Sequence, residues 1–185
     1  TGWMQEEFDS MGADYSNRGT ITDEHIQLIA RSAGDPVPSY QGQFINTAGM
    51  RIYPQSYQSR SVPIWVGGNS ERSFVRTAKF GNAWHGIGLT PAQLKHSRDR
   101  INQICETFQR DSSEIGITLR STVERTNKPN TRDANRSYLT GNLDQIADDL
   151  QQYERAGLDY LVISMSGAST NEVISSITKF SDRFI

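Results

Sequence analysis

The feature that most constrains the fold is a fourfold alternation of short apolar segments with amphipathic segments between residues 62 and 185. Each apolar segment has the length of a β-strand, and each following segment repeats its apolar residues at the spacing of an α-helix. Continuous apolar strands are typical of parallel sheets that are covered on both faces. The pattern therefore predicts four βα units, with strands at residues 63–66, 83–87, 115–123 and 160–163.

Sequence signals at the ends of the predicted helices support this alternation. Thr90 and Gln93 have the spacing of a capping box, in which two side chains satisfy free N–H groups at a helix start, and so do Asn142 and Gln145. Gly157 is placed to end the helix that Asn142 begins. Thr170 or Asn171 is predicted to cap the last helix, and Pro63 is predicted to stand at the start of the first strand.

The first third of the chain gives weaker signals. Thr22 and Asp23 are predicted to begin a helix that ends before Pro36. Residues 35–62 have no helical or strand period and are predicted to form a long loop, and the polar residues 126–138 a second loop. We therefore expect a single domain over 1–185, with a helix and a long loop in 1–61 and four βα units in 62–185.

Composition narrows the classes of function. The 185 residues include 19 Lys and Arg against 21 Asp and Glu, a net charge of −2, so no basic excess points to nucleic acid. No apolar run approaches the ~18 residues of a membrane span. The single cysteine, Cys105, excludes an intrachain disulfide and suits a reducing compartment, which predicts a cytoplasmic protein.

The single cysteine and the three histidines give no sign of a metal site. Cys105 lies on the apolar face of a predicted helix and is expected to be inert core, because buried free cysteine behaves as a small hydrophobe. No two of His25, His85 and His96 share a metal-ligand spacing. We therefore predict that the chain has no dedicated metal centre.

The junction after the first predicted strand combines two glycines with a helix start. Gly67 and Gly68 permit a sharp turn and a close approach to the backbone, and Asn69 and Ser70 are frequent helix caps. A helix N-terminus offers free N–H groups and the positive end of a dipole, both of which attract anions. The stretch is compatible with a phosphate site or with a plain strand-to-helix connection, since a Gly-Gly pair alone is weak evidence.

Short motifs along nearly the whole chain carry a family resemblance. In order, they are Gly2-Trp3-Met4-Gln5-Glu6-Glu7-Phe8, Arg18, Asp23-Glu24, Pro36-Val37, Gly42-Gln43-Phe44, Met50-Arg51-Ile52-Tyr53-Pro54, Pro63-Ile64-Trp65-Val66-Gly67-Gly68, Gly81-Asn82-Ala83-Trp84-His85 and Ala156-Gly157-Leu158-Asp159-Tyr160. In this order and spacing they resemble the bacterial luciferase-like monooxygenase superfamily. The nearer match is its branch of flavin- and coenzyme F420-dependent oxidoreductases.

The resemblance implies a (β/α)8 barrel, the TIM-barrel architecture, with a cofactor at the carboxyl ends of the strands. It also implies FMN or coenzyme F420 as the cofactor and a small organic molecule as the substrate, with no nucleic acid or membrane as partner. His85 matches the segment near the mouth of the family's active site, where a structural or peripheral role is expected ahead of proton donation, and it is the one catalytic candidate that the resemblance leaves. The residues implied to hold the phosphate side of the cofactor are Thr1, Gly2, Glu6, Gly67, Gly68, Asn69 and Ser70.

The resemblance covers the later strands of the family's barrel and none of the first four. We therefore expect an α/β fold that forms an incomplete barrel of about four βα units, equivalent to strands five to eight. Such a chain could be a fragment, a truncated product or a half-barrel. Its unpaired edge strands and open inner face predict a homodimer.

Three functions follow from these expectations. The first is an enzyme, either an oxidoreductase that transfers hydride between a reduced cofactor and a small substrate or a monooxygenase. The second is a non-catalytic protein that binds flavin or phosphate. The third is a fragment that needs a partner to complete the barrel.

Overall fold

The computed structural model describes residues 2–57, 62–130, 136–167 and 169–185. Thr1, residues 131–135 of the predicted second loop, residues 58–61 and Ala168 lie outside this range. The chain divides into two compact units, Thr1–Ile64 and Trp65–Ile185.

The first unit is built from two helices and a small hairpin. Helix α1 spans Gln5–Ser10 and helix α2 spans Arg18–Ser32. Strand β1, Tyr40–Gln41, pairs antiparallel with strand β2, Asn46–Thr47. The expected helix is thus confirmed, but its predicted start at Thr22 is wrong. The Thr22 hydroxyl donates to the Arg18 carbonyl at 2.7 Å, which places Thr22 inside the helix rather than at its cap.

Glu24 holds the hairpin turn, which was expected to be plain loop. Its buried carboxylate accepts the backbone N–H groups of Gln43 at 2.7 Å, Phe44 at 3.0 Å and Ile45 at 2.9 Å. Burial acts to raise the pKa of Glu24, but these hydrogen bonds outweigh it and the pKa lies below its ordinary value. A side chain of helix α2 therefore fixes the conformation of a turn whose sequence shows neither a helical nor a strand period.

The second unit alternates strands and helices as predicted. Its strands are β3, Trp65–Gly67; β4, Ala83–Ile87; β5, Gly116–Arg125; β6, Thr140–Gly141; and β7, Tyr160–Met165. Its helices are α3, Glu71–Phe80; α4, Pro91–Thr107; α5, Leu143–Arg155; and α6, Thr170–Phe184, and a 3-10 turn spans Ser112–Glu114. Strands β3, β4, β5 and β7 pair in that order and all parallel, and β6 pairs with the end of β5.

This topology confirms an α/β fold with a parallel sheet, and four successive βα units fit part of a (β/α)8 barrel. Both predicted capping boxes are present, at Thr90 and at Asn142. Strand β3 begins at Trp65 and not at Pro63, because Trp65 pairs with Ala83, the first residue of β4. Helix α6 is capped by Ser169, whose hydroxyl accepts the Glu172 N–H, one residue earlier than predicted.

The two faces of the sheet differ in exposure. One face packs on the helices and carries the buried side chains of Val66, Trp84, Leu119 and Val123. Cys105 is fully buried in the same core, as predicted, and burial raises the pKa of its thiol. The helix-facing side of the sheet therefore forms the core of this unit.

The opposite face, which we call the open face, is more exposed than the apolar runs of its strands predict. It carries Trp65, Ile87 and Tyr160, which are 45%, 54% and 57% exposed. The expectation that the first and last strands are buried on both faces is therefore wrong. The apolar runs are continuous because one set of their side chains meets the helices and the other set belongs to the face that a complete barrel would enclose.

A buried ion pair anchors the chain that follows residue 135. The Asp149 carboxylate, which has no exposed surface, accepts two hydrogen bonds from the Arg136 guanidinium, at 2.7 and 2.6 Å. It also accepts the backbone N–H of Leu139 at 2.7 Å, and Leu139 itself is fully buried. This contact holds strand β6 and its approach against helix α5.

We predict that Asp149→Asn lowers the free energy of unfolding by roughly 3–5 kcal/mol, because it removes the buried countercharge that faces Arg136. Urea denaturation measures the effect. Asp148→Asn is the matched control, since Asp148 is exposed on the same helix and should change the free energy by less than about 0.5 kcal/mol. Equal losses in the two variants would contradict this account of the ion pair.

Candidate functional site

The turn between β3 and α3 is the candidate site, and its backbone is shaped by glycine. Gly68 has a φ of +118°, a conformation that side-chain-bearing residues rarely adopt. Ser70 then caps α3 through a capping box, in which the Ser70 N–H donates to Ser73 Oγ at 3.1 Å and the Ser73 N–H donates to Ser70 Oγ at 3.4 Å. The predicted sequence of strand, glycine turn and capped helix is confirmed.

The Gly68 carbonyl is held on the core side of this turn. It accepts the Trp84 indole Nε1–H at 2.7 Å, and it shares the single Ser73 hydroxyl hydrogen, at 2.8 Å, with the Ser70 carbonyl, which lies 2.6 Å from Ser73 Oγ. Trp84 is fully buried, so this carbonyl faces the interior. In a trans peptide the N–H points opposite to the C=O, so the Asn69 N–H points outward. Two side chains therefore fix the direction of one exposed backbone donor.

Three backbone donors without a protein acceptor in the described part of the chain lie at the start of α3. Within the described residues, the N–H groups of Asn69, Glu71 and Arg72 have no protein acceptor. They stand at the positive end of the helix dipole. Donors that are fixed in advance and aligned with the dipole form an anion-binding site.

Two charged side chains of the first helical turn influence this site. Arg72 is exposed and forms no ion pair within the described ranges, so its charge adds to the positive potential. Glu71 pairs with Arg100, whose Nε lies 3.1 Å from one carboxylate oxygen, and this hydrogen bond lowers the pKa of Glu71. The Arg100 partner offsets the only negative charge of the turn, which leaves the site favourable to an anion.

Gly67 leaves room for an anion to approach. A Cβ added there would meet nothing nearer than the His85 carbonyl oxygen, 4.0 Å away. The residue is therefore not required by internal packing, and its missing side chain leaves open space beside the donors. These observations fit the phosphate group that the family resemblance implies, and residues 67–72 are the ones that would hold it.

The side chains of Asn69 and Ser70 have structural partners. Asn69 Nδ2 donates to the Ile87 carbonyl at 3.0 Å, and Asn69 Oδ1 accepts the Ile87 N–H at 3.3 Å. The Ser70 hydroxyl serves the helix cap. Asn69 thus ties the turn to the carboxyl end of β4 and keeps its backbone N–H for a ligand, whereas the N–H and the hydroxyl of Ser70 are both used by the capping box.

The remaining predicted phosphate contacts belong to the first unit. Thr1 lies outside the described residues. Gly2 packs against Phe8, whose ring atom Cε2 would lie 2.6 Å from an added Cβ, so internal packing already explains the glycine. Glu6 is exposed in the first turn of α1. The described structure therefore gives these three residues no site geometry, and their role stays a prediction.

His85 lies on the open face of the sheet, in register with Gly67 on β3 and Thr118 on β5. Its Nδ1 is 2.7 Å from Thr118 Oγ1. Partial burial lowers the pKa of the imidazole below its ordinary value of 6.5, and the charge of Arg120 lowers it further. His85 is therefore mainly neutral at pH 7, which suits a proton acceptor better than a proton donor.

Two clefts open at the end of the sheet that is formed by the carboxyl termini of its strands, which we call the carboxyl edge. A cleft of about 710 Å³ lies between the ends of β5 and β7 and is lined by Arg125, Asn127 and Glu172 among others. A cleft of about 680 Å³ lies beside the ends of β4 and β5 and includes Thr122 and Tyr138. Both have the size of small-molecule sites, and they share the carboxyl edge of the sheet with the β3–α3 turn.

The sequence patterns did not identify the side chains that hold Gly68 and His85 in position. The Trp84 indole and the Ser73 hydroxyl contact the Gly68 carbonyl from 16 and 5 positions along the chain. The Thr118 hydroxyl contacts His85 from 33 positions along the chain. Ser73 could have been found, because it follows Ser70 at the spacing of a capping box. Arg72 could also have been found as a cation in the first helical turn.

Within the described residues, no three His, Cys, Asp or Glu side chains stand close enough to hold a metal ion. No helix in the described part of the chain is long and apolar enough to cross a membrane.

We predict that Gly67→Val weakens binding of inorganic phosphate and of FMN by at least about tenfold, or roughly 1.4 kcal/mol, because the side chain would fill the space beside the donors. Isothermal titration calorimetry measures the affinity. Gly34→Val is the control, since Gly34 also has open space around it and lies in the other unit. Unchanged affinity in the Gly67 variant, with circular dichroism unchanged, would place the anion elsewhere.

Comparison with solved structures supports the fold. The chain is similar to a monooxygenase, RslO1, from Streptomyces bottropensis, with a TM-score of 0.76, 14% identity and coverage of 99% of this chain and 65% of that one. It is similar to an F420-dependent secondary alcohol dehydrogenase, with a TM-score of 0.69, 11% identity and coverage of 91% and 62%. It is also similar to a riboflavin lyase solved with a modified FMN, with a TM-score of 0.68, 12% identity and coverage of 95% and 61%.

Comparison with curated proteins and family models identifies the family. An uncharacterised protein of Mycobacterium tuberculosis is 26% identical over 101 residues, which are 55% of this chain. The chain spans about a third of the length of the curated relatives it matches, since the alignment covers 34% of them. The model of the luciferase-like monooxygenase family matches residues 1–131. The chain therefore belongs to the luciferase-like monooxygenase family.

Proposed function

We propose that this chain provides the phosphate-binding part of a flavin- or F420-dependent oxidoreductase or monooxygenase that acts on a small organic molecule. The observation that carries the proposal is the β3–α3 turn, where three exposed backbone donors stand beside the open space at Gly67. Similar structures include an F420-dependent alcohol dehydrogenase and a monooxygenase. The proposal takes the bound anion to be the phosphate of the cofactor.

The residues of this chain would bind and orient the cofactor. When bound, FMN or coenzyme F420 supplies the redox chemistry. The Asn69, Glu71 and Arg72 N–H groups would hold its phosphate, and the rigid carbonyl of Gly68 would keep these donors in place. The clefts at the ends of β4, β5 and β7 have room for a small molecule at the same edge of the sheet.

A second candidate is a binding unit that becomes active only with a partner. The open face favours it, because Trp65, Ile87 and Tyr160 keep about half of their surface exposed. Exposed apolar patches of this kind usually mark an interface. The edge strands β3 and β7 each pair on one side only within the described residues. A second copy of the chain could cover the open face by a symmetric contact.

We predict that the chain binds FMN or coenzyme F420 and that anaerobic incubation of the reduced cofactor with candidate carbonyl substrates gives turnover. Quenching of cofactor fluorescence measures the binding, and cofactor absorbance follows the reaction. Binding with turnover supports the enzyme, and binding without turnover supports the non-catalytic unit. Absence of binding by both cofactors would contradict the proposal.

We also predict that the chain is a dimer at micromolar concentration, because a contact of ~800 Å² per partner would cover the open face. Sedimentation equilibrium measures the mass. Trp65→Lys should give monomers, whereas Ile177→Lys, on an exposed site of helix α6, should leave the dimer intact. A compact wild-type monomer that binds no hydrophobic dye would contradict this prediction.

A further inference from the structure

A chain of two short contacts connects His85 to the backbone of its own strand. His85 Nδ1 lies 2.7 Å from Thr118 Oγ1, and Thr118 Oγ1 donates to the Trp84 carbonyl oxygen at 2.9 Å. Thr118 is 2% exposed, so water does not compete for its hydroxyl. The three groups therefore form one closed hydrogen-bond network inside the sheet.

The donor count of this network fixes the tautomer of His85. Thr118 has one hydroxyl hydrogen, and the Trp84 carbonyl has none. Both short contacts contain a hydrogen only if His85 Nδ1–H donates to Thr118 and Thr118 donates to Trp84. The other arrangement would leave two oxygens 2.9 Å apart without a hydrogen between them. We assign the Nδ1–H tautomer on this basis.

The other ring nitrogen is thereby left as an acceptor. Nε2 makes no hydrogen bond to the described residues and is not buried, so its lone pair faces solvent. The indole of Trp65 lies beside the imidazole, with ring centroids 5.7 Å apart, and the Tyr160 ring lies 5.5 Å from Trp65. A hydrogen-bond acceptor next to two exposed aromatic rings suits a ligand that combines an apolar body with a hydroxyl group.

We propose that Thr118 is a positioning residue that holds His85 as the Nδ1–H tautomer, so that Nε2 accepts a hydrogen bond from a hydroxyl-bearing aromatic or aliphatic ligand on the open face. Such a ligand would be the substrate, bound on the open face in place of a second copy of the chain and not in the clefts at the strand ends, and to that extent the inference rests on the proposed function. The tautomer itself does not depend on any cofactor.

The imidazole nitrogens can be observed directly. Long-range ¹H–¹⁵N NMR of the whole chain, labelled at histidine, reports which nitrogen carries the proton, and His85→Gln identifies the resonances of this residue among the three histidines. We expect His85 to be protonated at Nδ1 in the wild type and in Thr118→Ser. In Thr118→Val the two tautomers should mix, so the two ¹⁵N shifts approach each other.

Phenol and anisole test the acceptor role, because they differ in the hydroxyl hydrogen. Phenol should shift His85 Nε2 in the wild type and in Thr118→Ser, and anisole should leave it unmoved. A wild-type His85 protonated at Nε2 would overturn the proposal without any variant. Equal responses to phenol and anisole, or no response to either, would overturn the acceptor role. Loss of cofactor binding with these results intact would count against the proposed function alone.

Discussion

The candidate site depends on one hydrogen bond, from the buried Trp84 indole to the Gly68 carbonyl. A carbonyl at the end of a strand would ordinarily be free to turn toward water. Trp84 and Ser73 hold this one inward, and the geometry of the trans peptide then turns the next N–H outward. Burial of a tryptophan in the core of the sheet thus prepares a polar site at the surface, which is a common way for a rigid scaffold to support a binding loop.

The sheet explains why such a turn can serve as a receptor. All strands of the sheet run parallel, so their carboxyl termini and the turns that follow them lie at one end of the sheet, the carboxyl edge. The β3–α3 turn, the end of β4 and the two clefts all lie at that edge. Asn69 joins the first two through paired hydrogen bonds to Ile87. Ligands of parallel α/β proteins bind at this edge because backbone donors and loops converge there.

Much of this architecture could be predicted from the sequence, because local patterns determine it. The βα alternation and the capping boxes at Thr90 and Asn142 involve residues a few positions apart. The apolar runs of β3 and β7 did not predict the exposure of Trp65 and Tyr160, because an apolar run does not reveal which side of a sheet is covered; only the incomplete barrel implied by the family resemblance predicted an open face. The hairpin held by Glu24 was missed for a similar reason, since its order comes from a side chain about 20 residues away. The contacts of Trp84 with Gly68 and of Thr118 with His85 join residues 16 and 33 positions apart, so no local sequence pattern predicts them.

Within the described residues, three backbone N–H groups at the start of α3 have no protein acceptor before any ligand arrives. Titration of the ¹⁵N-labelled chain with inorganic phosphate, at constant ionic strength and followed by amide ¹H–¹⁵N NMR, observes each donor separately. We expect the Asn69, Glu71 and Arg72 amides to shift first and with a common affinity. If these three stay unmoved while amides at the start of α4 or α6 shift, the β3–α3 turn is a plain connection and the central claim is contradicted.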